Sequence, residues 1–340
     1  MFRLPAEWEP QDAVLLAWPH ANTDWESSLD RVEPIYLELV RQITRFEKVV
    51  LVTPHLEALR STLLQHNLSL TQVILAELPT NDTWTRDCGP LTVLVDDHPS
   101  LIDFGFNGWG LKFACDHDNL LTRRLHQSGL FGSTPLKTPG LILEGGSIES
   151  DGQGTLLTTS ECLLEANRNP HLDRQAIEQQ LCRLLGASRC LWLEHGYLAG
   201  DDTDSHIDTL ARLAPDDTIL YVCCDRPDDE HFTALQKMET QLRSFRTELD
   251  QPYRLLPLPW PDACYDSERN RLPATYANFL VINGAVLVPS YADPQDQVAL
   301  ATIQQAFPGH EMIPVDCRAL IEQHGSLHCI TMQFPQGVLP

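Results

Sequence analysis

Short apolar, strand-like runs alternate with amphipathic helical segments along the whole chain, and the later helices recur roughly every sixty residues. The strand-like runs cover 48–53, 73–78, 91–95, 141–143, 155–159, 218–224, 279–282, 285–289 and 327–332. The helices fall near 30–46, 116–128, 173–186, 229–246 and 293–306. Five such units of strands plus one helix suggest a closed ring of repeats. Asn283-Gly284 between two strand-like runs signals a two-residue hairpin, which fits units built on strand pairs rather than a simple βαβ series. No low-complexity linker divides the chain, so residues 1–340 read as a single α/β domain.

Composition narrows the function. A formal net charge of −23 repels phosphate backbones and favours cationic ligands, which argues against a nucleic-acid partner. No apolar run approaches the ~18 residues needed to span a bilayer. The apolar stretch Ala13 to Trp18 is short and follows acidic residues, unlike a signal peptide. With 10 cysteines but no Cys-x-x-Cys pair, reduced thiols in a cytoplasmic protein are expected, with Cys223-Cys224 a buried strand pair. Nucleotide, zinc-protease and serine-hydrolase signatures are absent.

Chemistry-bearing residues gather in four segments. Cys329 stands in the run Ser326-Leu327-His328-Cys329-Ile330-Thr331, and a thiol there needs partners to ionise near neutral pH. Those partners come from elsewhere in the chain. His206 and Asp208, two apart, would share one face of a strand, whereas His328 beside Cys329 would face away from it and serve structure. Asp87 sits in a turn-rich segment ending Cys88-Gly89-Pro90, and Glu144 precedes Gly145-Gly146, where backbone can approach a ligand closely. Each of these residues also has an ordinary structural use, as a satisfied core histidine or a turn carboxylate. Metal binding competes for the same residue types, but only His206-x-Asp208 and His328-Cys329 come near ligand spacing, so no metal is expected.

Several motifs in one order resemble the agmatine deiminase family, within the guanidine-modifying group that includes bacterial peptidylarginine deiminases. They are Pro5-Ala6-Glu7-Trp8-Glu9-Pro10, Ala17-Trp18-Pro19, Asn81-Asp82-Thr83-Trp84-Thr85-Arg86-Asp87, Leu143-Glu144-Gly145-Gly146-Ser147-Ile148 and Asn167-Arg168-Asn169-Pro170. His206-Ile207-Asp208-Thr209-Leu210-Ala211-Arg212, Asn283-Gly284-Ala285-Val286 and His328-Cys329-Ile330-Thr331 complete the series. The chain departs from the family at His324-Gly325-Ser326-Leu327, Met332 and Cys88.

The resemblance implies a five-bladed α/β propeller (the pentein fold) with pseudo-fivefold symmetry. It implies Cys329 as nucleophile, His206 as acid and base, Asp87 and Asp208 as guanidinium clamps, and Glu144 orienting His206 or lining the pocket. Trp84 and Trp18 would wall that pocket. The expected reaction is hydrolysis of agmatine to N-carbamoylputrescine and ammonia, with no metal or organic cofactor. The partner would be a small cationic guanidine, with no nucleic acid and no membrane, and a homo-oligomer is compatible. Deimination of another guanidine (arginine, peptidylarginine or a smaller compound), amidino transfer and simple guanidine binding stay open as alternatives.

Overall fold

The computed structural model describes residues 2–340 as a mixed α/β fold with five separate sheets. The same unit recurs in each: an antiparallel strand pair, a helix, and a third strand parallel to the second. In one sheet Ala211–Ala214 pairs antiparallel with Thr218–Val222, helix Phe232–Ser244 follows, and Arg254–Leu258 returns parallel. The next is Leu280–Ile282, Ala285–Ser290, helix Asp296–Ala306 and Glu311–Asp316. Ile148–Ser150, Thr155–Thr159, helix Arg174–Leu185 and Arg189–Leu193 form another. Leu91–Val95, His98–Ile102, helix Leu121–Gln127 and Leu136–Lys137 form a fourth, edged by Phe2–Arg3. In the fifth the chain's ends meet, because Met332–Pro335 pairs antiparallel with Gln11–Ala17. Helix Leu29–Ile43 and parallel Lys48–Thr53 follow, and the unit is extended by helix Leu56–Gln65 and Val73–Glu77.

Local sequence accounts for these elements. In helix Arg174–Leu185 the Asp173 carboxylate caps Ala176 N at 2.8 Å, and Gly186, at φ 71°, ends the helix in the left-handed conformation. Ile177, Leu181 and Leu185, four apart, are buried in one stripe; each contributes roughly 1.5–3 kcal/mol by leaving water. The Asn283-Gly284 hairpin is present, with Ile282 paired to Ala285. Only Gly284 has positive φ, so the turn is not of the mirror-image kind; Asp96-Asp97, at φ 48° and 63°, supplies that kind between Val95 and His98. The Asn283 amide instead bonds Gln11 N and O at 3.0 and 2.8 Å, joining two sheets.

Two strand-like runs, 141–143 and 327–332 up to Met332, do not form strands, and the strand face suggested for His206 and Asp208 is absent. Residues 327–330 are a turn, residues 206–210 carry the 3-10 turn Ile207–Thr209, and only Ile142 of 141–143 makes a β-bridge. Tertiary hydrogen bonds override β propensity there: His328 N donates to Asn278 O at 3.1 Å instead of to a ladder. Helix Leu56–Gln65 was not anticipated, and Cys223-Cys224 lies just past its strand, with only Cys224 buried. All ten cysteines are free. Among the described residues no helix is long and apolar enough to cross a membrane.

Candidate active site

Every sheet is entered through a short turn, and these five turns carry the site. Thr85–Cys88 precedes Leu91–Val95, Gly145–Ser147 precedes Ile148–Ser150, and Ile207–Thr209 precedes Ala211–Ala214. Residues 275–278 precede Leu280–Ile282, and residues 327–330 precede Met332–Pro335. Successive turns bond to one another. Arg86 N donates to Cys329 O at 3.2 Å, Gly146 N to Asp87 Oδ1 at 3.0 Å, Asn278 Nδ2 to Asp208 O at 3.3 Å, and His328 N to Asn278 O at 3.1 Å. Gly146 and His206 close the remaining step by contact.

Gly146 is where the groups converge. A Cβ placed on it would lie 2.6 Å from His206 Nδ1, 2.8 Å from Asp87 Oδ1 and 3.1 Å from Asp208 Oδ2. Only glycine leaves room there. Asp87 is held at both oxygens, by Gly146 N and by Trp109 Nε1 at 2.9 Å. Asp208 Oδ2 is bonded to His328 Nδ1 at 2.7 Å, whereas Asp208 Oδ1 and both ring nitrogens of His206 are buried without a hydrogen-bond partner. Such orphaned groups are costly in a protein interior, and they cluster where a ligand must be met. Cys329 Sγ lies 3.4 Å from Asn278 Oδ1.

The electrostatics split the groups. Burial, then the charge of Asp208, pushes the Asp87 carboxyl well above 3.8. Burial acts the same way on Asp208, but its hydrogen bond and electrostatic contact with His328, and the charge of Arg212, outweigh it and hold the carboxyl below its usual value. Burial lowers His206 to about 3, so the imidazole is neutral. Burial, then Asp208 and Asp87, pushes the Cys329 thiol well above 9.0.

A cavity of about 510 Å³ reaches this cluster, with Cys329, Asp87, Trp84, Trp109, Phe113 and Gly325 among its lining residues. Asp24, Asp82, Asp118 and Asp202 also line it, and no lysine or arginine does. Burial and neighbouring aspartates raise Asp82 to about 7; burial raises Asp118 to about 6. Of the acidic run at 201–204 only Asp202 belongs to the wall among the carboxylates. Asp201 is turned into its own loop, accepting from Thr203 and Ser205, and Asp204 pairs with Lys112 and Arg168 at 2.7 Å each.

Trp84 lines the cavity as expected, but Trp18 does not. Trp18 is buried with its ring 5.6 Å from Tyr36, as core packing, and its Nε1 reaches Glu33. Glu144 is not a direct hydrogen-bond partner of His206, standing 3.9 Å from Nε2. Both its oxygens accept from Arg168 Nε, at 3.0 and 2.9 Å, so a buried ion pair fixes it beside the histidine. His206, Asp208 and Glu144 are fully buried beyond the cavity wall.

Sequence reading passed over Trp109 and Asn278, and it quoted Arg168 within Asn167-Arg168-Asn169-Pro170 without a role; each acts through partners tens of residues away. Among the described residues two groups have the donor types for a metal, Glu144 with Cys162 and His206, and Glu7 with Glu149 and His328. A guanidinium already closes each: Arg168 on Glu144 and the Cys162 carbonyl, Arg212 on Glu7 and Glu149.

Comparison with known proteins finds similar chains along the whole length. A Porphyromonas gingivalis structure, solved under the provisional label of arginine deiminase, is 50% identical with a TM-score of 0.95, covering 100% of both chains. A C. jejuni agmatine deiminase with one cysteine changed to serine and substrate bound is 38% identical, covering 99% of this chain and 97% of that one, with a TM-score of 0.92. The agmatine deiminase of Pseudomonas aeruginosa (strain LESB58) is 32% identical across 98% of this chain and 95% of its own. The family model for the Porphyromonas-type peptidyl-arginine deiminases matches residues 3–335. With a match spanning nearly every residue, the chain belongs to the Porphyromonas-type peptidyl-arginine deiminase family.

Proposed function

We propose that this protein is an agmatine deiminase, hydrolysing agmatine to N-carbamoylputrescine and ammonia through a covalent Cys329 intermediate. The observation that carries this is the convergence at Gly146. His206, Asp87 and Asp208 meet there, His206 and Asp208 with unpartnered polar atoms, beside a thiol and an aspartate-lined cavity without Lys or Arg. The repeated strand–helix–strand unit, the meeting of the chain's ends and the chain of turn-to-turn bonds support a five-bladed propeller, with 1–340 as one catalytic domain. Ten free cysteines fit a cytoplasmic setting.

A guanidinium is a poor electrophile, so it must be held in plane while its carbon is attacked. Asp87 and Asp208 hold it, and its positive charge cancels the two carboxylate charges that oppose thiolate formation at Cys329. The thiol proton passes to neutral His206, and the sulfur electron pair forms a bond to the guanidinium carbon. The tetrahedral carbon collapses by breaking a C–N bond, and His206 returns the proton to the departing nitrogen as ammonia leaves. Water then adds to the amidino carbon, giving a proton to His206. The C–S bond breaks as the adduct's hydroxyl proton leaves to solvent, where ammonia takes it up as ammonium, giving the urea product and a Cys329 sulfur that recovers the proton held by His206.

Substrate choice rests on the far end. Agmatine ends in an ammonium, which the aspartates at 24, 82, 118 and 202 favour, whereas arginine adds an α-carboxylate with no Lys or Arg in the wall to receive it. The test is ammonia and product analysis over agmatine, arginine, a peptidylarginine and smaller guanidines in low-salt buffer. Agmatine should give the highest kcat/KM. Arginine equal or better overturns the substrate, transfer of the amidino group to an added amine overturns hydrolysis, and no turnover of any guanidine overturns the reaction.

A further inference from the structure

His328 follows a different logic from its neighbour Cys329. Its ring is buried and meets a carboxylate oxygen at each nitrogen: Asp208 Oδ2 lies 2.7 Å from Nδ1 and Glu7 Oε2 lies 2.7 Å from Nε2. A neutral imidazole has one N–H and one lone pair. One of these two contacts would then set a lone pair against a carboxylate oxygen at hydrogen-bond distance, with no water to intervene. Arg212 Nη2, at 3.1 Å from Nε2, is the donor that could meet such a lone pair, but it is farther than the Glu7 oxygen and already donates to that oxygen at 2.9 Å.

Charge counting leads the same way. Facing His328 are Asp208 from its 3-10 turn, Glu7 from the N-terminal segment and Arg212 from strand Ala211–Ala214. Glu149 acts on Arg212 from strand Ile148–Ser150, and Arg86 Nε approaches the His328 carbonyl at 3.4 Å. Three buried carboxylates stand against two guanidiniums. An imidazolium completes the balance, and buried charges persist only when so paired.

We infer that His328 is a doubly protonated imidazolium whose function is to position Asp208: it grips Oδ2, keeps the carboxylate ionised, and leaves Oδ1 directed to the substrate guanidinium. The positioning role rests on Asp208 being a guanidinium clamp; the charge state does not. His328 is therefore a positioning residue, acting through Asp208. The same grip accounts for the lowered Asp208 carboxyl beside an Asp87 that burial raises.

The charge is tested on the whole enzyme by long-range 15N–1H spectra of histidine-labelled protein, with the His328 signals identified by their loss in His328→Asn. Both His328 nitrogens should stay in the protonated range from pH 6 to 8. A single unprotonated nitrogen at pH 7.5, as for a ring accepting from Arg212, overturns the inference whether or not any guanidine is turned over. Kinetics test the positioning. His328→Asn keeps one donor near Nδ1 but no charge, and Glu7→Gln removes the second carboxylate should that variant fold poorly. Either should lower kcat/KM for agmatine about 10- to 100-fold, chiefly by raising KM, and move the acid limb of the pH profile upward by about one unit. A folded variant of either kind with unchanged KM and pH limb overturns the positioning role.

Discussion

Replacing Gly146 by alanine tests the convergence of the site with a single methyl group. Gly146 is absent from the positive-φ positions, so alanine brings no backbone strain. The cost lies in what the methyl meets. To restore ordinary contact at 3.4 Å from a starting separation of 2.6 Å, the His206 ring must retreat by about 0.8 Å, and Asp87 Oδ1, at 2.8 Å, by about 0.6 Å. A misplacement of ~1 Å in a catalytic group can cost ~100-fold in rate, about 2.7 kcal/mol of transition-state stabilisation. Because the acid/base group and a clamp both move, Gly146→Ala should lower kcat/KM for agmatine by at least ~100-fold. Overpacking costs roughly 1–3 kcal/mol of stability, partly offset by ~0.4–1 kcal/mol from the stiffer unfolded chain, so Tm should fall by only a few degrees. Ammonia release and a thermal melt on the same sample separate the two effects. A variant within about threefold of wild-type kcat/KM, with its melt intact, would refute the idea that His206, Asp87 and Asp208 meet around one point.

Cys329→Ser should abolish ammonia release, since a hydroxyl is a far weaker nucleophile, while agmatine binding by calorimetry persists; substantial turnover in the purified variant removes Cys329 from the mechanism. Asp87→Asn and Asp208→Asn should each cost roughly 2–4 kcal/mol in kcat/KM by losing a charge-assisted contact, and wild-type kinetics in either would take that residue out of the clamp. Trp109→Phe removes the indole donor that lowers the Asp87 pKa, so activity should fall about tenfold or more and its acid limb should shift to higher pH. An unshifted limb counts against that contact. For stability, burial holds folded His206 near 3 against an ordinary 6.5. The unfolded chain therefore takes up a proton that the folded one refuses, and the associated stability is complete above about 6.5 and lost progressively down to about 3. His206→Asn should flatten the fall of Tm between pH 6.5 and 4, and a parallel pair of curves would refute it.

The repeating helix spacing, the Asn283-Gly284 hairpin and the residue types at 87, 144, 206, 208 and 329 were all readable in the chain, because helix stripes and hairpin turns depend on neighbours a few residues apart. The residue types also suit the proposed chemistry, in which a thiol, a histidine and paired carboxylates act on a guanidinium. Their arrangement was another matter. The β-branched run around Cys329 promised a strand, yet its backbone donors go to Asn278 and Thr331 folds back on His328, so the thiol sits on a turn. His206 and Asp208 meet one site from a 3-10 turn instead of a strand face. Trp18 went to the core and Trp109 to Asp87. These outcomes turn on contacts spanning 59 residues for Gly146 with Asp87 and 120 for His328 with Asp208. No local pattern encodes such pairs. They exist only once five turns are brought edge to edge, where burial strips water from each group and leaves its charge and orientation to whichever neighbour the fold has supplied.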